Sequence, residues 1–345
     1  MTGTQNQALA LCCAALGTAV ALRTWRRTHS LDFTGTSVVI FGGSRGLGLV
    51  LARELAAEGA RLMLVARDAD ELDRARRELE QRGAWVTTVS CDIRQREQVE
   101  HAIAETVSQH GGIDVLINDA GIIQVGPLDH VTLDDFDDAL KTHFWGPLYA
   151  VLAARPHLQR SPTARIVNIS SIGGKIAVPH LLPYSASKFA LTGLSEGLSA
   201  ELAREGIRVT TVCPGLMRTG STYNAWFKGK HRNEFAWFHL AASVPGLSID
   251  ARRAARQIVE ACRRGDPELV ITAPARMVVL MNAMFPNGFA RAMRMTNALL
   301  PSADRQGDVE SRSGWQSVSA LAPSPLTRLS DRATRENNEV PATGA

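Results

Sequence analysis

The chain has 345 residues, of which 45% are apolar and 21% charged, with a net charge of +4. That length holds one large or two modest domains, and the composition excludes wholesale disorder, collagen and coiled coil. The 38 basic residues are scattered along the chain, which argues against nucleic acid as a partner.

The N-terminus carries no charged side chain from Met1 to Leu22, and Ala8 to Leu22 is an apolar run of 15 residues followed by Arg23, Arg26 and Arg27. About 20 apolar residues are needed to cross a bilayer, so the run spans one only if its neutral flank is drawn in. Positive residues favour the cytoplasmic side, so residues 1–30 are expected to be a membrane anchor holding a cytoplasmic body. A secretory signal is disfavoured because no basic residue precedes the apolar run. A loose leader or a peripheral helix stays open.

From Ser37 the pattern becomes regular. Ser37 to Phe41 (SVVIF) reads as a strand, Gly42-Gly43 as a turn, and Leu47 to Ala57 as a helix. The same alternation gives strands near 61–66, 85–90, 113–117, 165–169, 207–212 and 268–271. Helices are expected near 68–81, 95–109, 184–204 and 251–264, with a long one starting at Thr132, where Asp135 completes a helix-start signature. Repeated strand and helix predict an α/β fold, a single doubly wound parallel sheet covered by helices on both faces. Residues 31–275 form that domain, 276–301 an amphipathic extension rich in Met and Arg, and 302–345 a polar tail expected to be disordered.

Cys12, Cys13, Cys91, Cys213 and Cys262 lack disulfide or metal-ligand spacing, which argues against a metal site and fits a reducing compartment. The chemistry lies elsewhere. Gly42-x-x-x-Gly46-x-Gly48 falls between strand and helix, where bare backbone and a helix N-terminus can receive a pyrophosphate. Its spacing is neither G-x-G-x-x-G nor a P-loop. Asn118-Asp119-Ala120-Gly121 closes the fourth strand. Tyr184 and Lys188, four apart, share a helix face, so the ammonium can lower the phenol's pKa. A phenol so tuned can exchange a proton with a carbonyl or alcohol oxygen, which Ser171 would hold.

Together these residues resemble the short-chain dehydrogenase/reductase family. Gly42, Gly46 and Gly48 match its glycine turn; Asn118, Ala120 and Gly121 its N-N-A-G; Ser171, Tyr184 and Lys188 its catalytic set; and Pro214, Gly215 and Thr219 its P-G-x-x-x-T. The resemblance runs from about residue 33 to 272. It implies an enzyme that interconverts a carbonyl and an alcohol by hydride transfer. In that reading Ser44, Arg45 and Leu47 join the glycines on the cofactor, Asp92 and Ile93 lie near the adenine, Thr219 meets the nicotinamide amide, and Lys188 also holds the ribose. A homo-oligomer is expected.

Three departures stand out. Phe41 replaces a Thr, Asp119 replaces the second Asn, and His143 stands where the family places the Asn of a proton relay. If the imidazole joined that relay, the rate would titrate near 6.5. A weakly active dinucleotide-binding scaffold or sensor, or an isomerase or dehydratase on the same fold, is therefore the alternative.

Arg45 in the glycine turn and Arg67 after the second strand, where NAD-binding relatives place an acid, predict NADP(H). Tyr223, Trp226, Phe227, Phe235, Trp237 and Phe238 predict an aromatic lid and an apolar substrate, of lipid, steroid or fatty type. Lys228, Lys230, His231 and Arg232 face either acidic headgroups or water.

Overall fold

The computed structural model describes residues 30–303, 310–319 and 322–341. The first half of the domain runs β1 (Ser37–Phe41), α1 (Gly46–Ala57), β2 (Arg61–Ala66), α2 (Ala69–Glu80), β3 (Val86–Ser90), α3 (Arg96–His110), β4 (Val115–Asn118) and a two-residue β5 (Gln124–Val125). Next come α4 (Leu133–Leu140), α5 (Gly146–Leu158), β6 (Arg165–Ile169), α6 (Leu182–Glu201), β7 (Arg208–Pro214), β8 (Leu216–Arg218) and β9 (Trp226–Phe227). The remainder is α7 (His231–Ser243), β10 (Ser248–Asp250), α8 (Ala251–Arg264), β11 (Glu268–Ile271), α9 (Ala273–Met284), α10 (Pro286–Leu299), β12 (Arg312–Ser313) and α11 (Arg328–Glu336).

Seven parallel strands form one sheet in the order β11-β7-β6-β4-β1-β2-β3. Order reverses between β1 and β4, the switch point where open α/β sheets bind ligands beyond the strands' carboxyl ends. Alternate side chains of each strand serve opposite layers. Val38, Ile40, Leu62 and Leu64 pack with Leu51 and Leu55 of α1 and with Ile258 of α8. Val39, Phe41, Met63 and Val65 pack with Val99 and Ile103 of α3 and Val151 of α5. Continuous β-branched runs are what a sheet buried on both faces requires.

The helix expected from Thr132 is interrupted. Asp135 accepts from the Thr132 N–H at 2.7 Å, as the start signature requires, but Lys141–Trp145 forms one π-helical turn between α4 and α5. Such turns re-aim side chains within a helix; here the re-aimed residue is His143, fully buried.

Two expectations are corrected. Among the described residues no helix is long and apolar enough to cross a membrane, so a membrane-held protein is not upheld, and the run from Ala8 to Leu22 lies outside the described residues. The segment 302–345, expected to be disordered, is ordered over its described part beyond residue 310. α11 docks through Asp331, whose carboxylate accepts from the Tyr223 hydroxyl at 2.7 Å and lies 3.0 Å from Nε2 of His239. Side-chain hydrogen bonds to distant partners hold it, together with the burial of Ala322 and the packing of Trp315 against the cluster around Tyr223 and Phe235.

Candidate active site

One cavity of about 680 Å³ lies beyond the carboxyl ends of β1, β2 and β4. Ser44, Arg45, Gly46 and Leu47 line it from the glycine turn, Arg67 from the end of β2, and Asp92 and Ile93 from beyond β3. Ala120 and Gly121, then Tyr184, Lys188 and Thr219, complete its wall. Gly42, expected to bind cofactor, also lines it; Gly48 does not.

The three glycines do different things. A Cβ on Gly48 would lie 2.1 Å from the Gly42 carbonyl oxygen, so this position lets α1 pack against the turn. Gly46 has φ +58 and faces the cavity; a Cβ there would lie 2.7 Å from Oε1 of Glu339 and meet no other residue beyond its own chain neighbours. A glycine on the cavity wall at a helix N-terminus, faced there by Glu339 alone, fits the close approach of a pyrophosphate. Asn118, Pro214 and Gly215 sit behind the wall. Asn118 donates through Nδ2 to Asn168 at 2.8 Å, leaving its buried Oδ1 without a partner among the described residues.

Tyr184 and Lys188 lie on the cavity wall, and Ser171 stands beside Tyr184 without lining the cavity itself. The Ser171 hydroxyl is close enough to the Tyr184 phenol to lower its pKa. Lys188 Nζ lies 5.8 Å from the Tyr184 ring centre and donates to the Ile169 carbonyl at 2.8 Å. The neighbouring Ser170 is consumed by Thr192, at 2.7 Å, and by the Lys188 carbonyl.

Electrostatics differ from the expectation that the ammonium lowers the phenol's pKa. Burial pushes Tyr184 up to about 12, against the Ser171 hydroxyl, which lowers it. Burial also pulls Lys188 down to about 8, opposed by the carboxylate of Asp119. Asp119 itself is raised to about 8 by burial, opposed by Lys188 and by the Gly48 N–H. The phenol is thus held protonated at neutral pH.

His143 is committed to structure. Its Nε2 accepts from the Ile122 N–H at 3.1 Å, which leaves the proton on Nδ1 to be donated to Ser187 Oγ at 2.7 Å. Burial and the Lys188 charge depress its pKa well below 6.5. A relay titration near 6.5 is therefore not expected, because the buried ring stays neutral.

The aromatic lid is likewise reassigned. Tyr223, Phe227, Phe235 and Phe238 are buried with Val125, Leu181 and Ala322 in a third cluster, against which Trp237 and Trp315 pack. Of the six aromatics only Trp226 lines the cavity. Lys228 is not a surface cation: it is buried in an ion pair with Asp135 at 2.6 Å.

Sequence reasoning missed Ile122, Ile123, Thr142, Met217, Ser221, Asn224, Ser313 and Glu339 as cavity residues. None belongs to a motif. Arg45, expected to meet a phosphate, is paired with Glu71 at 2.8 Å.

The profile of the short chain dehydrogenase family matches residues 36–228. Gluconate 5-dehydrogenase of Gluconobacter oxydans is 33% identical over 191 residues, 55% of this chain and 75% of that protein. The oxidoreductase SadH of Mycobacterium tuberculosis is 32% identical over 266 residues, covering 75% of this chain and 94% of that one. A crystal structure of a dehydrogenase/reductase from Sinorhizobium meliloti, 31% identical, superposes with a TM-score of 0.62 over 73% of this chain and 99% of its own. The family binds a nicotinamide dinucleotide, and the glycine turn and cavity fit one. Sheet order, glycine turn and sequence match agree that the chain belongs to the short chain dehydrogenase family and is an oxidoreductase of that type.

Proposed function

We propose that the protein is an NADP(H)-dependent oxidoreductase that reduces a carbonyl to an alcohol on an apolar substrate, with Tyr184 as the acid/base. The observation that carries this is the grouping of Ser171, Tyr184 and Lys188, with Tyr184 and Lys188 on the wall of the cavity that Gly46 and Arg67 also line. A nicotinamide dinucleotide bound there supplies hydride exchange at the substrate carbon.

The chain's own residues account for the proton and for orientation. Ser171 Oγ accepts from the Gly173 N–H at 3.0 Å, which fixes its lone pairs and leaves the hydroxyl to hold a substrate oxygen beside the phenol. A phenol held protonated is ready to donate to an oxygen gaining negative charge, which is the reductive direction. Lys188, whose Nζ lies 5.8 Å from the Tyr184 ring centre, is the cation nearest the phenol as its proton leaves. Ile122, Ile123, Met217 and Trp226 on the cavity wall suit an apolar substrate.

NADP(H) is favoured by Arg67, which directly follows β2, is exposed at the rim and takes part in none of the described ion pairs, with Asp68 lining the cavity beside it. The test is NADPH oxidation by the purified protein against aldehydes, ketones and quinones, with Tyr184→Phe as control. Turnover by wild type and its loss in the variant are expected; equal rates in both refute the assignment of Tyr184.

A further inference from the structure

The C-terminal segment reaches the cofactor cradle. Following α11, the carbonyl of Asn337 accepts from the Gly46 N–H at 2.9 Å, so an N–H at the start of α1 is already used. The Glu339 carboxylate lies against Gly46, accepts from Asn224 Nδ2 at 2.6 Å, and stands 3.6 Å from Arg45 Nε. Between them Asn338 donates to the carbonyls of Ser44, at 2.9 Å, and Glu71, at 3.1 Å. Asn337 donates to the Thr219 carbonyl at 3.1 Å and accepts from Arg53 at 3.0 Å. Three consecutive side chains thus tie the tail to the glycine turn, to α1 and α2, and to the segment expected to meet the nicotinamide.

We propose that this segment is an autoinhibitory strap: Asn337 to Glu339 occupy the pyrophosphate cradle of the short chain dehydrogenase site, so that the docked tail and a nicotinamide dinucleotide exclude one another. The warrant is chemical as well as steric. A helix N-terminus with free N–H groups favours an anion, and here it receives a carbonyl oxygen and a carboxylate. A pyrophosphate brought to the same place meets a group of its own charge where it needs donors.

Release is linked to pH. Burial raises Glu339 to about 7, opposed by Arg45 and by the Asn224 hydrogen bond and reinforced by Glu71; Asp119 faces the same carboxylate. A carboxyl whose folded pKa exceeds its unfolded value stabilises docking fully below the unfolded value, and that stability is lost as pH rises through the folded value. The strap therefore loosens between about pH 4.5 and 7.

The proposal rests on dinucleotide binding by the family, not on the choice between NAD and NADP, so both NADH and NADPH are used as probes. Calorimetry on full-length wild type, Glu339→Ala and Glu339→Gln is expected to show at least tenfold tighter coenzyme binding to Glu339→Ala, and binding to Glu339→Gln no tighter than to wild type, because a neutral side chain of the same length keeps the strap docked. Hydrogen exchange on wild type is expected to show residues 328–341 protected without coenzyme and unprotected with it. Affinity of Glu339→Ala within twofold of wild type, or weaker binding to it with protection kept in the complex, overturns the strap; the latter makes the tail a coenzyme clamp. No binding of either coenzyme to wild type or to Glu339→Ala overturns dinucleotide binding and the strap together.

Discussion

The Nδ1 of His143 lies 2.7 Å from the hydroxyl of Ser187, which donates in turn to the Tyr184 carbonyl at 2.9 Å. The pair braces the start of α6, on which Tyr184 and Lys188 stand. A neutral ring in this place acts through position, not through its own proton. The pH–rate profile of wild type is expected to lack a titration near 6.5. His143→Ala is expected to lower stability by about 2–4 kcal/mol, from the cavity and the Ser187 partner it removes. Urea denaturation measures the second effect, and a pH-rate inflection near 6.5 lost in His143→Asn would contradict the first.

Tyr184→Phe is expected to reduce turnover by about 10² to 10⁴, the usual contribution of general acid–base catalysis, with coenzyme affinity nearly unchanged. Lys188→Ala is expected to damage both if, as proposed, the ammonium stands beside the reacting phenol and holds the coenzyme ribose. Steady-state rates paired with coenzyme titrations separate the two cases.

Asp119 and Lys188 both titrate near 8, Asp119 raised and Lys188 lowered by burial, each partly offset by the other's charge. Their protons belong to the pair, so carbonyl reduction is expected to fall as pH rises through about 8, where the ammonium is lost. Asp119→Asn removes the charge that supports the ammonium, and the fall should move to lower pH. An unmoved limb would detach Asp119 from the pair.

Arg67→Ala is expected to weaken NADPH by roughly ten- to a hundredfold, the loss of a charge-assisted contact of about 1.5–3 kcal/mol, while leaving NADH unaffected. Arg45→Ala should weaken it less, since Glu71 already engages that guanidinium. Calorimetry with both coenzymes decides; equal losses for NADH and NADPH would remove the 2′-phosphate from the argument.

Gly220 has φ +93, and a Cβ there would lie 2.4 Å from the Thr334 Cα, in the middle of α11. Gly220→Ala is therefore expected to undock α11 and expose residues 328–341 to limited proteolysis. The same variant should bind coenzyme more tightly than wild type if the tail excludes it.

Sequence alone determined the parallel sheet, its strands to within about two residues, the glycine turn, and the joint spacing of Ser171, Tyr184 and Lys188. These are local signals: a buried strand needs an unbroken β-branched run, a turn against a helix start needs glycine, and residues four apart on a helix share a face. Only the tertiary structure decided the protonated phenol, the neutral His143, the burial of the lid aromatics and the place of the tail. Desolvation depends on neighbours brought from far along the chain, and the tail is held by polar contacts such as Asp331 to Tyr223, 108 residues apart, and Glu339 to Asn224, 115 apart. Composition marks such a segment as disordered because it counts apolar residues, whereas this one is ordered by hydrogen bonds and by a few apolar contacts, Ala322 and Trp315 among them, with partners that exist only once the domain has folded.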